Sequence, residues 1–330
     1  MNTARQNFKI QKNIAIISVA LFIIKIFAWF LTHSVAILTD ALESIVNVIA
    51  GFIGLYSLYV SGKPKDVDHP YGHGKVEFIS AAIEGVLIAV AGLLIIRESI
   101  INLSKPHEIH QLDFGIVLIV FTAFINLLAG RYCVKTGNKN NSLALIAGGK
   151  HLLADTYTTL GIGVGLLLIY FTKIVWLDSV VAIIFAIIIL YTAYKIVRSS
   201  IAGIMDEADM VLLKKMVDTL NNNRSENWID LHNLRIIKYG SMLHLDCHLT
   251  VPWYFNVHEA HNEIDQLSGL VREYFGDSVE LFVHSDGCLD FSCSICDKQN
   301  CNQRKFPFQQ KISWTMENIS SNKKHKIYVK

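Results

Sequence analysis

The sequence predicts a two-part fold: an α-helical membrane bundle of six transmembrane helices, then a cytosolic α+β ferredoxin-like domain (α-β-β-α-β). Three observations predict it. Residues 14–200 are dominated by long apolar runs, while 207–330 has the mixed composition of soluble protein. The runs approach the ~20 residues that cross a hydrocarbon core as helix. Lysine and arginine also crowd into alternate loops, as the positive-inside rule requires of a multi-pass chain. The implied division is a six-helix membrane domain over 1–205, a cytosolic domain over 206–287 and a Cys-containing, Lys-rich tail over 288–330.

The spans are predicted at 14–32, 35–61, 78–101, 114–134, 143–171 and 174–197. The N-terminal basic stretch with Arg5, Lys9 and Lys12 could open a signal peptide. The apolar run behind it is too long, contains Lys25 and lacks a small-residue cleavage site, so it reads as the first span. Basic residues precede the first span, then recur as Lys63, Lys65 and Lys75 and as Arg131, Lys135 and Lys139. The alternate loops hold only Arg97, Lys105 and Lys173. Both termini are therefore predicted cytoplasmic, in a bacterial inner (plasma) membrane, and the cysteines are predicted reduced. A net charge of +2 gives no case for nucleic acid as partner.

In the soluble half, "DMVLLKKMVDTL" repeats its apolar residues at helical spacing. "LHNLRII" and "MLHLDCHLTV" flank residues 238–241 as a hairpin. In the second strand Leu243, Leu245, Cys247, Leu249 and Val251 take one face and His244, Asp246 and His248 the other. A second amphipathic helix, "VHEAHNEIDQLSGLVREYF", precedes the strand "SVELFVH". Beyond about residue 303 the chain is polar and Lys-rich, and reads as loose.

The chemistry sits where polar groups interrupt apolar runs. "AILTDALESIVNVIAGF" places Asp40, Glu43 and Asn47 in the second span. Glu43 and Asn47 are four apart and share a helix face. "GGKHLLADTYTTL" places His151 and Asp155 four apart on the fifth. If the faces meet, two carboxylates, an amide oxygen and an imidazole converge as a site for a divalent cation. A charge at bilayer depth costs on the order of ~3 kcal/mol, which a bound dication would offset. The alternative is that these groups only tie helices together, with Lys25 bridging Asp40. In the loop "GKPKDVDHPYGHGK", Asp66, His69 and His73 form a second candidate cation site, with Gly72 and Gly74 permitting a tight bend. The histidines of "HEAH" are three apart, which does not suit a zinc protease, and no nucleophile–base constellation is visible.

The "HPYGHGK" loop, the acidic pair on the second span and "HxxxD" on the fifth resemble the cation diffusion facilitator family over about residues 10–290. The resemblance implies a homodimer that exports divalent cations in exchange for protons, with no enzymatic activity and no organic cofactor. It implies a transport site at Glu43, Asn47, His151 and Asp155, an interfacial site at Asp66, His69 and His73, and a Lys75–Asp206 charge interlock. In the cytosolic half it implies a metal-sensing site at His232, His248, His261, His284 and Asp286. Two departures stand out. Glu43 and the neutral Asn47 replace the usual Asp/His pattern, so Asp40 is a possible extra ligand. The donor set admits zinc, iron(II), manganese, cobalt or cadmium, and zinc comes first on family prevalence. The tail "CLDFSCSICDKQNC" adds Cys288, Cys293, Cys296 and Cys301, with C-x4-C-x2-C-x4-C spacing, as metal candidates. Two rival functions follow: a membrane-anchored metal-sensing or redox protein working through these cysteines, or a membrane enzyme hydrolysing at the intramembrane site.

Overall fold

The computed structural model describes residues 2–104, 111–139, 143–239 and 242–327. Lys105 of the alternate loops, and Gly240 and Ser241 of the expected turn, lie outside them. The chain forms two compact units: residues 1–59 with 77–201, and residues 60–76 with 202–330.

The first unit holds six helices: α1 (Asn2–Thr32), α2 (Val35–Ser61), α3 (Val76–Ser104), α4 (Leu112–Lys139), α5 (Leu143–Thr172) and α6 (Trp176–Ile204). All six are long and apolar enough to cross a membrane. At 27 to 31 residues they outrun the apolar stretches, because a helix keeps its backbone bonded beyond the lipid-covered segment. Phe27, Phe30, Phe52 and Phe171 face outward, while Lys25, Asp40, Asn126, Asp155 and Asp178 are buried. That inversion suits a hydrocarbon solvent.

Two apolar seams join the helices. Val46, Ile88, Ile95, Ala186 and Ile189 link α2, α3 and α6. Ala28, Ile37, Ile119, Ile162 and Leu166 link α1, α2, α4 and α5. The α4–α5 crossing needs Gly149, where a Cβ would stand 2.8 Å from the Val134 nitrogen and from the Cys133 Cβ. Gly149→Ala should therefore cost about 1–3 kcal/mol through overpacking, read as a lower melting temperature in detergent. At the opposite helix ends, Asp178 accepts from Ser34 Oγ at 2.6 Å, Val35 N at 2.6 Å and Ala36 N at 3.4 Å. It occupies the positive end of the α2 dipole.

The second unit contains α7 (Met210–Asn222), β1 (Asp230–Tyr239), β2 (Met242–Val251), α8 (Val257–Phe275) and β3 (Val279–Gly287). The sheet order is β1-β2-β3, with β1 antiparallel and β3 parallel to β2, so the α-β-β-α-β reading holds. Leu245, Cys247, Leu249 and Val251 enter the core as the alternation requires. The tail departs from the expectation of a loose segment. Trp314 and Ile319 are buried in the same core, the latter on a short helix α9 (Met316–Ile319). The Arg224 guanidinium lies 4.0 Å over the Trp314 ring and donates to Ile312 O at 2.8 Å, and Asn221 Nδ2 donates to Trp314 O at 2.7 Å. A few well-placed anchors outweigh the polar average of that stretch.

Candidate metal centres

The transport candidates sit on α2 and α5. Asn47 Nδ2 donates to Asp155 Oδ2 at 2.6 Å, and its Oδ1 lies 3.0 Å from His151 Nε2. His151 Nε2 stands 3.9 Å from Asp155 Oδ1. Glu43 lies one turn along α2, where the charges of Asp155, Asp40 and Lys25 bear on it. Asn47, His151 and Asp155 also line a cavity of about 560 Å³ that reaches Ser57 and Glu77, near the ends of α2 and α3. Asn126 of α4 and Glu84 of α3 line it too. Sequence reasoning missed both, although Glu77 and Glu84 stand seven apart on one helix face.

Asp40 is engaged elsewhere. Lys25 Nζ donates to its Oδ1 at 2.8 Å and Thr159 Oγ1 donates to the same atom at 2.6 Å, with all three side chains buried. This is the bridge reading of Asp40, and it leaves Asp40 a neighbour of the cation candidates. Counting formal charges, Asp40, Glu43 and Asp155 against Lys25 leave two negative charges, which one dication cancels.

In the 62–75 loop, Asp66 Oδ1 lies 2.9 Å from His69 Nδ1, and its Oδ2 3.3 Å from His73 Nε2. The hydrogen bond from His69 holds the Asp66 carboxyl below its ordinary range. Gly72 takes φ +89°, a conformation that favours glycine. Lys75 Nζ donates to Asp206 Oδ2 at 2.9 Å. Burial alone would lower the Lys75 ammonium, but the bond and charge of Asp206 outweigh it and raise it.

The cytosolic candidates form a rung across the sheet. Register pairs His232 with His248, and His248 with His284, so three imidazoles stand side by side with ring centroids 5.1 and 4.7 Å apart. Asp286 reaches all three, each at 3.5 Å. The ligand atoms of His232, His248 and Asp286 lie within 4.8 Å of one another, as do those of the Asp66 group. Imidazole nitrogens and a carboxylate at this spacing suit a divalent cation. His261 is not part of this group: it sits exposed on α8, 3.7 Å from Asp265. Three contributors were missed from sequence. Asp230 Oδ2 lies 3.5 Å from His232 Nδ1, His325 Nδ1 lies 2.5 Å from Asp230 Oδ1, and Lys324 Nζ lies 3.7 Å from Asp286 Oδ1. The last two come from the tail, whose packing no local pattern announces. Cys288, Cys293, Cys296 and Cys301 line a separate small cavity.

Burial holds the His232 and His244 imidazoles below the ordinary histidine range, against the opposing pull of Asp230 and Glu280 respectively. A base depressed on folding binds fewer protons in the native state than in the unfolded one, so its contribution falls as pH drops below about 6.5. The Lys238 hydrogen bond lowers Asp209, whose contribution is lost only further down, below about 3.9. Acidifying the full chain from about pH 7.5 to about 5.5 should thus lower the melting temperature of the second unit, followed by Trp228 and Trp314 fluorescence.

Comparison with known proteins agrees with this layout. The family description "Cation efflux transmembrane domain" matches residues 13–205, and "Cation efflux protein, cytoplasmic domain" matches 209–288. The chain is similar to the uncharacterised transporter sll1263 of Synechocystis sp., 29% identical over 76% of this chain and 81% of that one. It is similar to the manganese efflux system protein MneP of Bacillus subtilis, 26% identical over 85% of this chain and 97% of that one. It is also similar to the cation-efflux pump FieF of Pectobacterium atrosepticum, 27% identical over 82% of this chain and 89% of that one.

Proposed function

Given that this chain belongs to the cation efflux (cation diffusion facilitator) family, which is a transporter family and not an enzyme family, we propose that it moves a divalent transition-metal cation out of the cytoplasm in exchange for protons. It is a multi-pass membrane protein and a cation efflux transporter. The observation that carries the finer reading is the convergence of Asn47, His151 and Asp155 at one cavity. With Glu43 they supply three oxygens and one imidazole nitrogen, a donor set that suits zinc, manganese, iron(II) or cobalt. Zinc is our first candidate on family prevalence, and manganese stands beside it because MneP is named a manganese efflux protein.

Protons and metal exclude one another because a ligand must be deprotonated to bind. Histidine changes charge within the physiological range, which gives this competition its working range. Cation arriving through the cavity releases protons from His151 and Asp155, and protons from the far side displace it once the bundle faces outward. Residues 1–205 are the transport domain and 206–287 the sensing and dimerisation domain of a homodimer. Asp66, His69 and His73 hold a second ion, while His232, His248, His284 and Asp286 hold a regulatory one. The loop charges favour cytoplasmic termini in a bacterial inner membrane.

The test is flux in proteoliposomes of the full chain, with a panel of zinc, manganese, iron(II), cobalt and cadmium and a pH dye inside. Metal uptake coupled to proton release is expected, and uptake without proton movement removes the exchange step. Replacing the tail cysteines with serine should spare flux, and its loss with an unchanged melting temperature would favour the redox reading. Truncation at residue 288 is a poorer test, because it strips Trp314 and Ile319 from the core.

A further inference from the structure

The four tail cysteines belong to neither the transport set nor the histidine group, and only Cys288 falls within a family match, at its last residue. All four thiols are free, and all four line one cavity of about 20 Å³. That volume takes roughly one water or one ion. The loop that carries them is braced through its backbone. Arg304 donates to the carbonyls of Cys293 at 2.9 Å, Cys296 at 3.1 Å and Lys298 at 2.6 Å, and its own N–H to Cys301 O at 3.2 Å. Cys288 N is tied to Val251 O at 2.9 Å, so one end of the loop hangs from β2.

Charge points the same way. Four thiolates around a dication leave two negative charges, and the lining offers Lys298 and Arg304 against one carboxylate, Asp290, with Lys298 also 3.2 Å from Glu226. The apolar support is slight: Ile229, Ile295 and Cys296 form a core of their own. Loop-rich segments with so small a core are commonly held by a metal or by disulfides, and the cytosol disfavours disulfides. Four cysteines with no open position make a closed structural site, and tetrahedral sulfur selects zinc among single divalent ions.

We propose that Cys288, Cys293, Cys296 and Cys301 bind one zinc ion as a structural tetrathiolate site that pins the tail to the second unit. The sulfurs are set wider than the two tight histidine–aspartate groups, so ligation draws them inward across the cavity. A thiol must lose its proton to ligate zinc, so binding releases protons. The pinned segment is the one that delivers Lys324 and His325 to Asp286 and Asp230.

The test uses the full chain in detergent with the other candidate sites disabled by Asp155→Asn, His69→Ala and His232→Ala. After exhaustive dialysis, elemental analysis should find one zinc per chain. Adding Cys293→Ser and Cys296→Ser should reduce this to none and speed proteolysis of the tail. The cysteine-intact protein, stripped by chelator and titrated with cobalt alone, should show thiolate-to-metal charge transfer and tetrahedral visible bands at one equivalent. This arm stands even if the serine variant fails to fold. No tight metal with all four cysteines present, metal content unchanged by the serine replacements, iron or copper in place of zinc, or a disulfide among the four would each overturn the proposal.

Discussion

Asp155→Asn is expected to cut metal flux by about 100-fold or more, while leaving the melting temperature within a few degrees of the parent. Loss of an outer-shell group alone costs metal sites about 10–100-fold, and Asp155 is proposed as a direct ligand. The substitution keeps the shape of the side chain but removes one charge from the set that one dication cancels. It also removes an acceptor for the 2.6 Å bond from Asn47 only if the new amide turns its nitrogen inward, so the fold should tolerate it. Stopped-flow flux in proteoliposomes and isothermal titration of the same preparation read the two effects separately. Undiminished flux with intact affinity would remove Asp155 from the site.

The second large effect is on stability. Lys25→Met leaves the buried Asp40 carboxylate with the Thr159 hydroxyl, at 2.6 Å, as its remaining side-chain donor among the described residues. Breaking a buried ion pair from one side costs about 3–5 kcal/mol, because the other charge stays buried and uncompensated. The double replacement Lys25→Met with Asp40→Asn removes both charges and should recover most of that loss. Unfolding midpoints of the parent, Lys25→Met, Asp40→Asn and the double variant in one detergent form the double-mutant cycle. Equal midpoints for the single and double variants would show that the pair carries no such coupling.

Much of the architecture was legible because it is local. Six apolar runs of spanning length, helical spacing in α7 and α8 and strand alternation in β2 each depend on residues two to four apart. The same short range put Glu43 with Asn47 and His151 with Asp155 on single helix faces. The loop group of Asp66, His69 and His73 was readable for the same reason: eight consecutive positions and one glycine turn bring it together.

What the sequence by itself determined, then, is which faces carry donors: the intramembrane pairs, the loop triad, the α-β-β-α-β order and the cysteine spacing. Only the tertiary structure decided which donors meet. Helix packing gave Asp40 to Lys25 and Thr159, and brought Asn47 against His151 and Asp155. Strand register aligned His232, His248 and His284 as one rung and left His261 outside it. The tail joined the core through Trp314 and Ile319, and carried His325 to Asp230 across 95 positions. The physical reason is that backbone periodicity acts within a turn or two, whereas the partner of a buried charge is set by packing between segments far apart in the chain.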